Sequence, residues 1–327
     1  MNRAVNAGVS YFGKVPSRGD FVRTSDNHQL LGWLDRWAGE SLELLSQHPD
    51  WKQRYDAAPD IHYAFLGSRS KAVLCGHLLA SRDASQRRFP LLSVVRLDAT
   101  DPLPFIGRSP LAMSNAWSGL ARLARQAYQD TDATDALSRL GDARFSISTE
   151  ADDYNGSFQD FMEGCTVGEL EQRLRDAGHG DVSLKHMLPA MGMLLQPVLS
   201  GGDVHIDKAL VLPLVRDAVY RPLIAAFWLD MISSFVARGD FELSVLLRND
   251  ATPSMVVGFN GADRQVLRAV LDPADDSGFL IHLKHADWVE EYLGSDYNLN
   301  RLGSFLDRDD LALATARKLF GETFLGT

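Results

Sequence analysis

The sequence predicts a mixed α/β (α+β) fold, with a largely antiparallel sheet flanked by helices, a helical middle region and a C-terminal extension. Three observations predict it. Apolar runs at 62–67, 71–80 and 91–97 follow one another with short links, the pattern of an antiparallel meander. Residues 27–45 carry apolar side chains every three to four positions, and 221–238 is a long apolar segment with a proline in its first turn. Strands come in clusters rather than in strict alternation with helices, which disfavours a doubly wound parallel sheet.

The elements follow in order. Residues 10–12 begin a strand that runs into 13–20, where two glycines and a proline make a turn. Leu30, Leu31, Leu34, Trp37, Leu42 and Leu45 mark the core face of the 27–45 helix. Residues 51–59 read as a short aromatic-bearing connection. The strands 62–67 and 71–80 are joined by a turn at 68–70, and 91–97 follows Phe89-Pro90. Pro110 sits at or near N1 of a helix that ends near Gln129. Residues 130–135 read as a polar loop, 145–148 as a short strand and 150–156 as an acidic loop.

Thr166-Val167-Gly168-Glu169 matches a capping box, whose helix should stop at Gly178. Residues 183–199 read as a helix interrupted by Pro189 and closed by Gly201-Gly202. Residues 205–212 read as a strand, and the 221–238 helix ends at Gly239. Strands at 241–248 and 255–259 are linked through 250–253, and 262–271 is a short helix. In the tail, 279–283 reads as a strand. Residues 307–320, Asp-rich at the start and closing on Arg317-Lys318, suit a helix dipole.

Composition bounds the function. A chain of 327 residues can bury a full core without disulfides or metal staples. Its 33 Lys+Arg against 43 Asp+Glu exclude a protein that wraps nucleic acid by bulk electrostatics. The charge is polarised: residues 1–98 hold 13 basic and 10 acidic side chains, and 99–327 hold 20 and 33. Cys75 and Cys165 form no CxxC pair, which fits a reducing cytoplasm. The first nine residues lack the apolar core of a signal peptide. The apolar stretch 223–232 is broken by Asp230, well short of the ~20 residues a membrane span needs. A cytoplasmic protein with no integral membrane segment and no nucleic-acid partner is expected.

The densest cluster of unusual residues is Tyr11-Phe12-Gly13-Lys14-Val15-Pro16-Ser17-Arg18-Gly19-Asp20-Phe21-Val22. Two aromatic anchors flank a turn that displays Lys14, Arg18 and Asp20. The plain structural expectation is an Arg18–Asp20 or Lys14–Asp20 contact that fixes the loop. A phosphate loop is excluded: Gly13-Lys14 is followed by Val15 and Pro16 rather than Ser or Thr, and Pro16 has no N–H to offer.

These residues resemble the opening of the TagF (ImpM) family, accessory proteins of bacterial type VI secretion. The family pattern is an aromatic, Gly-Lys-Leu-Pro, a variable residue, then Arg-Gly-Asp-Phe. Phe12, Gly13, Lys14, Pro16, Arg18, Gly19, Asp20 and Phe21 match it in register, with Val15 for the usual Leu. The resemblance continues through Trp33-Leu34-Asp35-Arg36-Trp37, through Trp51, Tyr55 and Pro59, and through Tyr63-Ala64-Phe65. It closes on Ser81, Asp83, Arg88, Phe89, Pro90 and Leu91. Two departures stand in that last signature. Arg87 replaces a Gly, and Ala84-Ser85-Gln86 replaces an Arg-Val pair. If the family Gly takes a positive φ, Arg87 must remodel the turn.

The similarity is strong over 10–97. The division it implies is a TagF-like domain at 1–271 with a variable middle at 98–215, and an extension of unassigned role at 272–327. The resemblance implies a non-enzymatic, cytoplasmic, post-translational repressor of type VI secretion. It would act by protein–protein sequestration of a forkhead-associated scaffold protein, without cofactor or metal. The residues implied in partner binding or loop fixing are Phe12, Gly13, Lys14, Pro16, Arg18, Gly19, Asp20 and Phe21, with Asp83, Arg88, Phe89 and Pro90 on a second turn nearby, at the sheet edge.

A reading from another class stays open at this point. Lys14, Arg18, Asp20 and Asp83 could form a polar cluster that binds a phosphorylated or carboxylated ligand, as an enzyme or a binding protein. Catalysis would require carboxylates converging in a cleft with raised pKa. The histidines favour packing over metal: His282 and His285 are three apart and His62 and His77 lie on neighbouring strands, but no spacing completes a ligand set. Cys75 reads as a small buried hydrophobe. The acidic doublets Asp152-Asp153, Asp275-Asp276 and Asp309-Asp310 read as solvated or capping residues.

Overall fold

The computed structural model describes residues 4–200, 206–272 and 277–326. Gly201-Gly202, the start of the 205–212 strand and the Asp275-Asp276 doublet lie outside the described residues. The strands are β1 (Val5–Gly13), β2 (Val22–Arg23), β3 (Ile61–Gly67), β4 (Ala72–Leu79), β5 (Leu91–Asp98), β6 (Arg144–Ile147), β7 (Ala209–Pro213), β8 (Glu242–Arg248), β9 (Ser254–Gly258) and β10 (Leu280–His282). They form one sheet in the order β10-β7-β9-β8-β3-β4-β5-β1-β2, with β6 paired to β1. Among the described strands every pairing is antiparallel except β10 with β7.

The central strands are buried on both faces, so their sequences read as continuous apolar runs. Alternate residues feed two cores. Ile61, Tyr63 and Phe65 of β3, with Leu246 of β8 and Val256 of β9, enter one core under helices His28–Leu45 and Arg264–Leu271. Ala64 and Leu66, with Val245 and Val257, enter the other. That second core lies under helices Ser109–Gln129, Leu184–Leu195 and Tyr220–Val236. Trp117 and Trp228 bury their rings there and donate to the carbonyls of Tyr63 and Pro213 at 3.1 and 3.0 Å. An indole N–H buried without an acceptor would be costly.

Several segments differ from the expectation. The connection at 51–59 holds a helix, Trp51–Asp56, whose buried residue Tyr55 faces the sheet. The polar loop at 130–135 already enters a helix, Thr134–Asp142, with Ala136, Leu137 and Leu140 buried at helical spacing. The acidic loop at 150–156 is instead the start of helix Asp152–Gly164. Its acids suit the positive end of the helix dipole, and Phe158, Phe161 and Met162 are buried. Pro189 does not interrupt its helix, which runs Leu184–Leu195 and continues as a 3-10 turn to Ser200. The capping box at Thr166 forms, but α-helix gives way at Leu174 to a π-helical turn ending at His179, with Gly178 at φ +93°. The tail holds helices Tyr297–Leu306 and Leu313–Phe324, so the stretch 307–312 that was expected to open a helix is a loop.

The tail is tied to the body by backbone and charge. Val167 N–H donates to Leu311 O at 2.8 Å, Gly168 N–H to Asp309 O at 3.0 Å, and Leu313 N–H to Cys165 O at 2.9 Å. Buried Asp230 accepts from Arg108 at 2.8 Å and from Arg317 of the last helix at 2.5 Å. Among the described residues no helix is long and apolar enough to cross a membrane, and no group of three or more His, Cys, Asp and Glu is placed to hold a metal ion.

Candidate functional site

Residues 14–21 join β1 to the short edge strand β2. Residues 80–90 join β4 to β5, which pairs with β1, so the two loops leave the same end of neighbouring strands. Gly13 makes the close approach possible. Its φ is +143°, and a Cβ there would overlap Pro90 O and lie 2.7 Å from Leu91 Cα. Val15 is fully buried against Leu91, Ala124, Ala133 and Leu137. Pro16 follows at the second position of a turn closed by Arg18 N–H to Val15 O at 3.1 Å, where its fixed φ is favourable.

The second loop holds three carbonyls of the first. Ser81 Oγ donates to Lys14 O at 2.7 Å, Ala84 N–H to Arg18 O at 2.8 Å, and the Arg87 guanidinium to Gly19 O at 2.6 Å. Ser81 is itself fixed. Its N–H donates to the Tyr55 hydroxyl at 3.0 Å, and that hydroxyl donates to Ser81 O at 3.1 Å.

Asp83 is the centre of the lock. It is fully buried, and Lys14 Nζ lies 3.0 Å from its Oδ2 with only 8% of the Lys14 side chain exposed. Arg87 Nε donates to Oδ2 at 2.7 Å, and the backbone N–H groups of Ser85 and Arg87 both donate to Oδ1 at 2.9 Å. Burial pushes this carboxyl up. The Arg87 N–H, the Lys14 ammonium and the Arg87 guanidinium outweigh it and hold Asp83 well below the usual carboxylate range.

Three rings close the outer side. Phe12 and Phe21 stack with centroids 5.0 Å apart, and Phe89 meets both edge-on at 5.6 and 5.0 Å. Phe12 and Phe89 are buried, but Phe21 is 42% exposed. The second aromatic anchor therefore does not enter the core. It lies over Phe12, with the Lys14 ammonium 4.8 Å from its ring centroid.

The charged residues find other partners than the spacing implied. Lys14 pairs with Asp83, not Asp20. Arg18 reaches Asp132 at 2.9 Å and the Thr134 hydroxyl, not Asp20. Asp20 is exposed and accepts the Phe21 N–H at 2.8 Å. Arg88 turns to Asp56, forming two bonds at 2.9 and 2.6 Å. Lys14, Arg18, Asp20 and Asp83 therefore form no single cluster, and Asp83 has its oxygens filled and its pKa lowered. The left-handed residue of the second loop is Gln86, at φ +64°, so Arg87 needs no positive φ. Arg87 instead becomes a principal cross-link between the loops.

Tyr55, noted only within the resemblance, and Asp56, Asp132 and Thr134, which carry no local signal, complete the junction of the two loops. Each meets its partner across 26 to 116 residues of chain. The histidines on the two strands meet as well: His62 Nδ1 and His77 Nδ1 are 3.1 Å apart, in a sheet interior where burial lowers both pKa values. Cys75 is fully buried, and burial raises its thiol pKa, which disfavours the reactive thiolate.

Residues 10–142 match the model of the TagF N-terminal domain, described as type VI secretion system-associated. The crystal structure of PA0076 from Pseudomonas aeruginosa PAO1 is also similar, at 19% identity and a TM-score of 0.36. That match covers 43% of this chain and 66% of the other, so the chain spans just under two thirds of that protein. No curated protein matches the chain.

Proposed function

From a chain that belongs to the TagF family through its N-terminal domain at residues 10–142, a type VI secretion-associated domain, we propose a cytoplasmic, non-enzymatic repressor that acts after translation. It sequesters a partner by protein–protein contact, and the partner is the forkhead-associated scaffold of the secretion apparatus. The face that meets it is the outer side of the two locked loops: Gly19, Asp20 and Phe21 from the first, and 84–87 from the second, all exposed.

The observation that carries this reading is the division of labour within the motif. Lys14, Asp83, Gly13 and Pro90 are buried and serve the lock. Phe21, Asp20 and Arg18 are left partly or fully open on a surface that the lock holds rigid. An exposed aromatic ring on a fixed support, fringed by charge, is the composition of a binding hot spot. A ring already immobilised loses little freedom on binding. Asp83, saturated by four donors, has no spare oxygen or proton for acid–base work.

Effector export tests it. A double variant, Arg18→Ala with Asp20→Ala, removes only exposed groups, so protein level and fold should stay normal. Export should rise toward that of a strain without the protein. Export still repressed at normal protein level would overturn the assignment of the surface.

A further inference from the structure

A second cluster of polar side chains lies among β7, β8 and β9, away from the two loops. On the face shared by Val211, Leu246 and Val256, the strand side chains are apolar core. One pleat further on, the same face changes character. Arg248 of β8 stands opposite Ser254 of β9, which stands opposite Pro213 of β7. The end of the π-helical turn brings His179, the turn between β8 and β9 brings Asp250 and Thr252, and the 3-10 turn Leu283–His285 brings Lys284 around this row, lining a cavity of about 170 Å³.

The lining is rich in donors. Arg248 lies 2.8 Å from Asp250 through Nη2, and its side chain is 16% exposed. Its Nε is buried with no partner, so the guanidinium has capacity that Asp250 does not use. Among the described residues Lys284 makes no ion pair, and neither the Thr252 nor the Ser254 hydroxyl has a hydrogen-bond partner. Asp250 is the one carboxylate in the lining, and it is occupied. One oxygen meets Arg248, and the other accepts the Thr252 N–H at 3.1 Å. His179 spends its Nε2 on Leu214 O at 2.8 Å. His282 of β10, in register with Val211, adds a further ring at the rim.

We propose that this cavity binds the phosphate group of a small anionic ligand. Lys284 and Arg248 supply the charged contacts, and the Thr252 and Ser254 hydroxyls supply neutral ones. A phosphate anion is met by Lys284, by the part of the Arg248 guanidinium that Asp250 leaves open, and by free O–H donors, and charge-assisted bonds are the strong ones. The volume is that of about five or six waters, which admits inorganic phosphate or a short phosphate monoester but not a nucleotide.

The test is isothermal titration of the full chain with inorganic phosphate and with glycerol 3-phosphate, each at ionic strength balanced with chloride. Saturable binding is expected. Lys284→Met should raise the dissociation constant by about tenfold, the loss of one charge-assisted bond. Ser254→Ala should weaken binding less, and the melting temperature of unliganded Lys284→Met should match that of the parent. Equal affinity for the two ligands identifies the phosphate alone as the recognised group. Tighter binding of the ester identifies a monoester as the ligand class. Absence of saturable binding of both, or binding unaffected by Lys284→Met, overturns the proposal.

Discussion

Gly13→Ala is the sharpest perturbation of the loop lock. The added methyl meets backbone, not a flexible side chain: it overlaps Pro90 O and comes within 2.7 Å of Leu91 Cα. Two costs follow. An L-residue forced to φ +143° carries ~1–3 kcal/mol of backbone strain. Overpacking against fixed atoms adds ~1–3 kcal/mol. Together they remove ~2–6 kcal/mol of stability, unless β1 parts from β5 at its end. For a chain of this size each kcal/mol lowers the melting temperature by about 2 °C, so the fall should be about 4–12 °C. Scanning calorimetry reads it directly. Gly19→Ala is the control, because a Cβ at Gly19 meets nothing within 4 Å. A fall of under about 2 °C in Gly13→Ala would refute the claim that this glycine is required for the two loops to meet.

Asp230→Ala leaves Arg108, with 13% of its side chain exposed, without its carboxylate, while Arg317, 51% exposed, turns to water. The expected loss is about 3 kcal/mol, the low end for breaking a buried pair, read as a lower urea midpoint with unchanged slope. Limited proteolysis of the same variant should cut earliest near the last helix, Leu313–Phe324. The His62–His77 pair gives a pH dependence. Burial holds both rings below the ordinary value, His77 at about 4. Above pH ~6.5 both folded and unfolded chains keep neutral rings, and the pair contributes no slope. As pH falls from ~6.5 to about 4 the unfolded chain takes up protons that the folded pair refuses. Stability then drops by about 3 kcal/mol for His77 alone. Urea unfolding at a series of pH values should show that slope, and His77→Phe should flatten it; an identical slope in both proteins would contradict the assignment.

Much of the sheet was legible because its central strands are apolar on both faces and bounded by Gly, Pro and short polar turns. Residues 61–67 and 72–79 pair as adjacent strands, and the joint that no local pattern announces is β3 with β8, which meet across about 180 residues. Helices were legible where a long apolar face repeated, as at Leu31, Leu34, Trp37, Leu42 and Leu45. They were missed where polar residues masked the period. Asp152, Asp153 and Gly156 read as a loop, though Phe158, Phe161 and Met162 carry helical spacing from two residues further on. The tail helix Tyr297–Leu306 was missed in the same way, its buried Leu299, Leu302 and Leu306 spread among Asn, Arg and Ser.

The motif marked the two loops that meet, but not how they are wired together. Lys14 and Asp83 are neighbours only because β1 pairs with β5 and β5 with β4. The pairing partner of a charged loop residue is set by sheet topology, and spacing within the loop pointed to Asp20 instead. By its spacing Phe21 is the second aromatic anchor of the turn. Its ring stays 42% exposed because Phe12 and Phe89 already fill the space beneath it. Arg87 looked like a defect in the pattern, and its guanidinium instead ties Asp83 to Gly19 O.

The locked loops are proposed to present Phe21 to a partner. Binding of the purified full chain to the partner proposed above, a forkhead-associated scaffold protein, tests this most directly, with Phe21→Ala measured beside the parent. The parent should bind saturably. Phe21→Ala should keep its melting temperature near that of the parent and lose about thirtyfold in affinity, the equivalent of a ~2 kcal/mol hot spot. Equal binding by both proteins, or no binding by the parent, would contradict it.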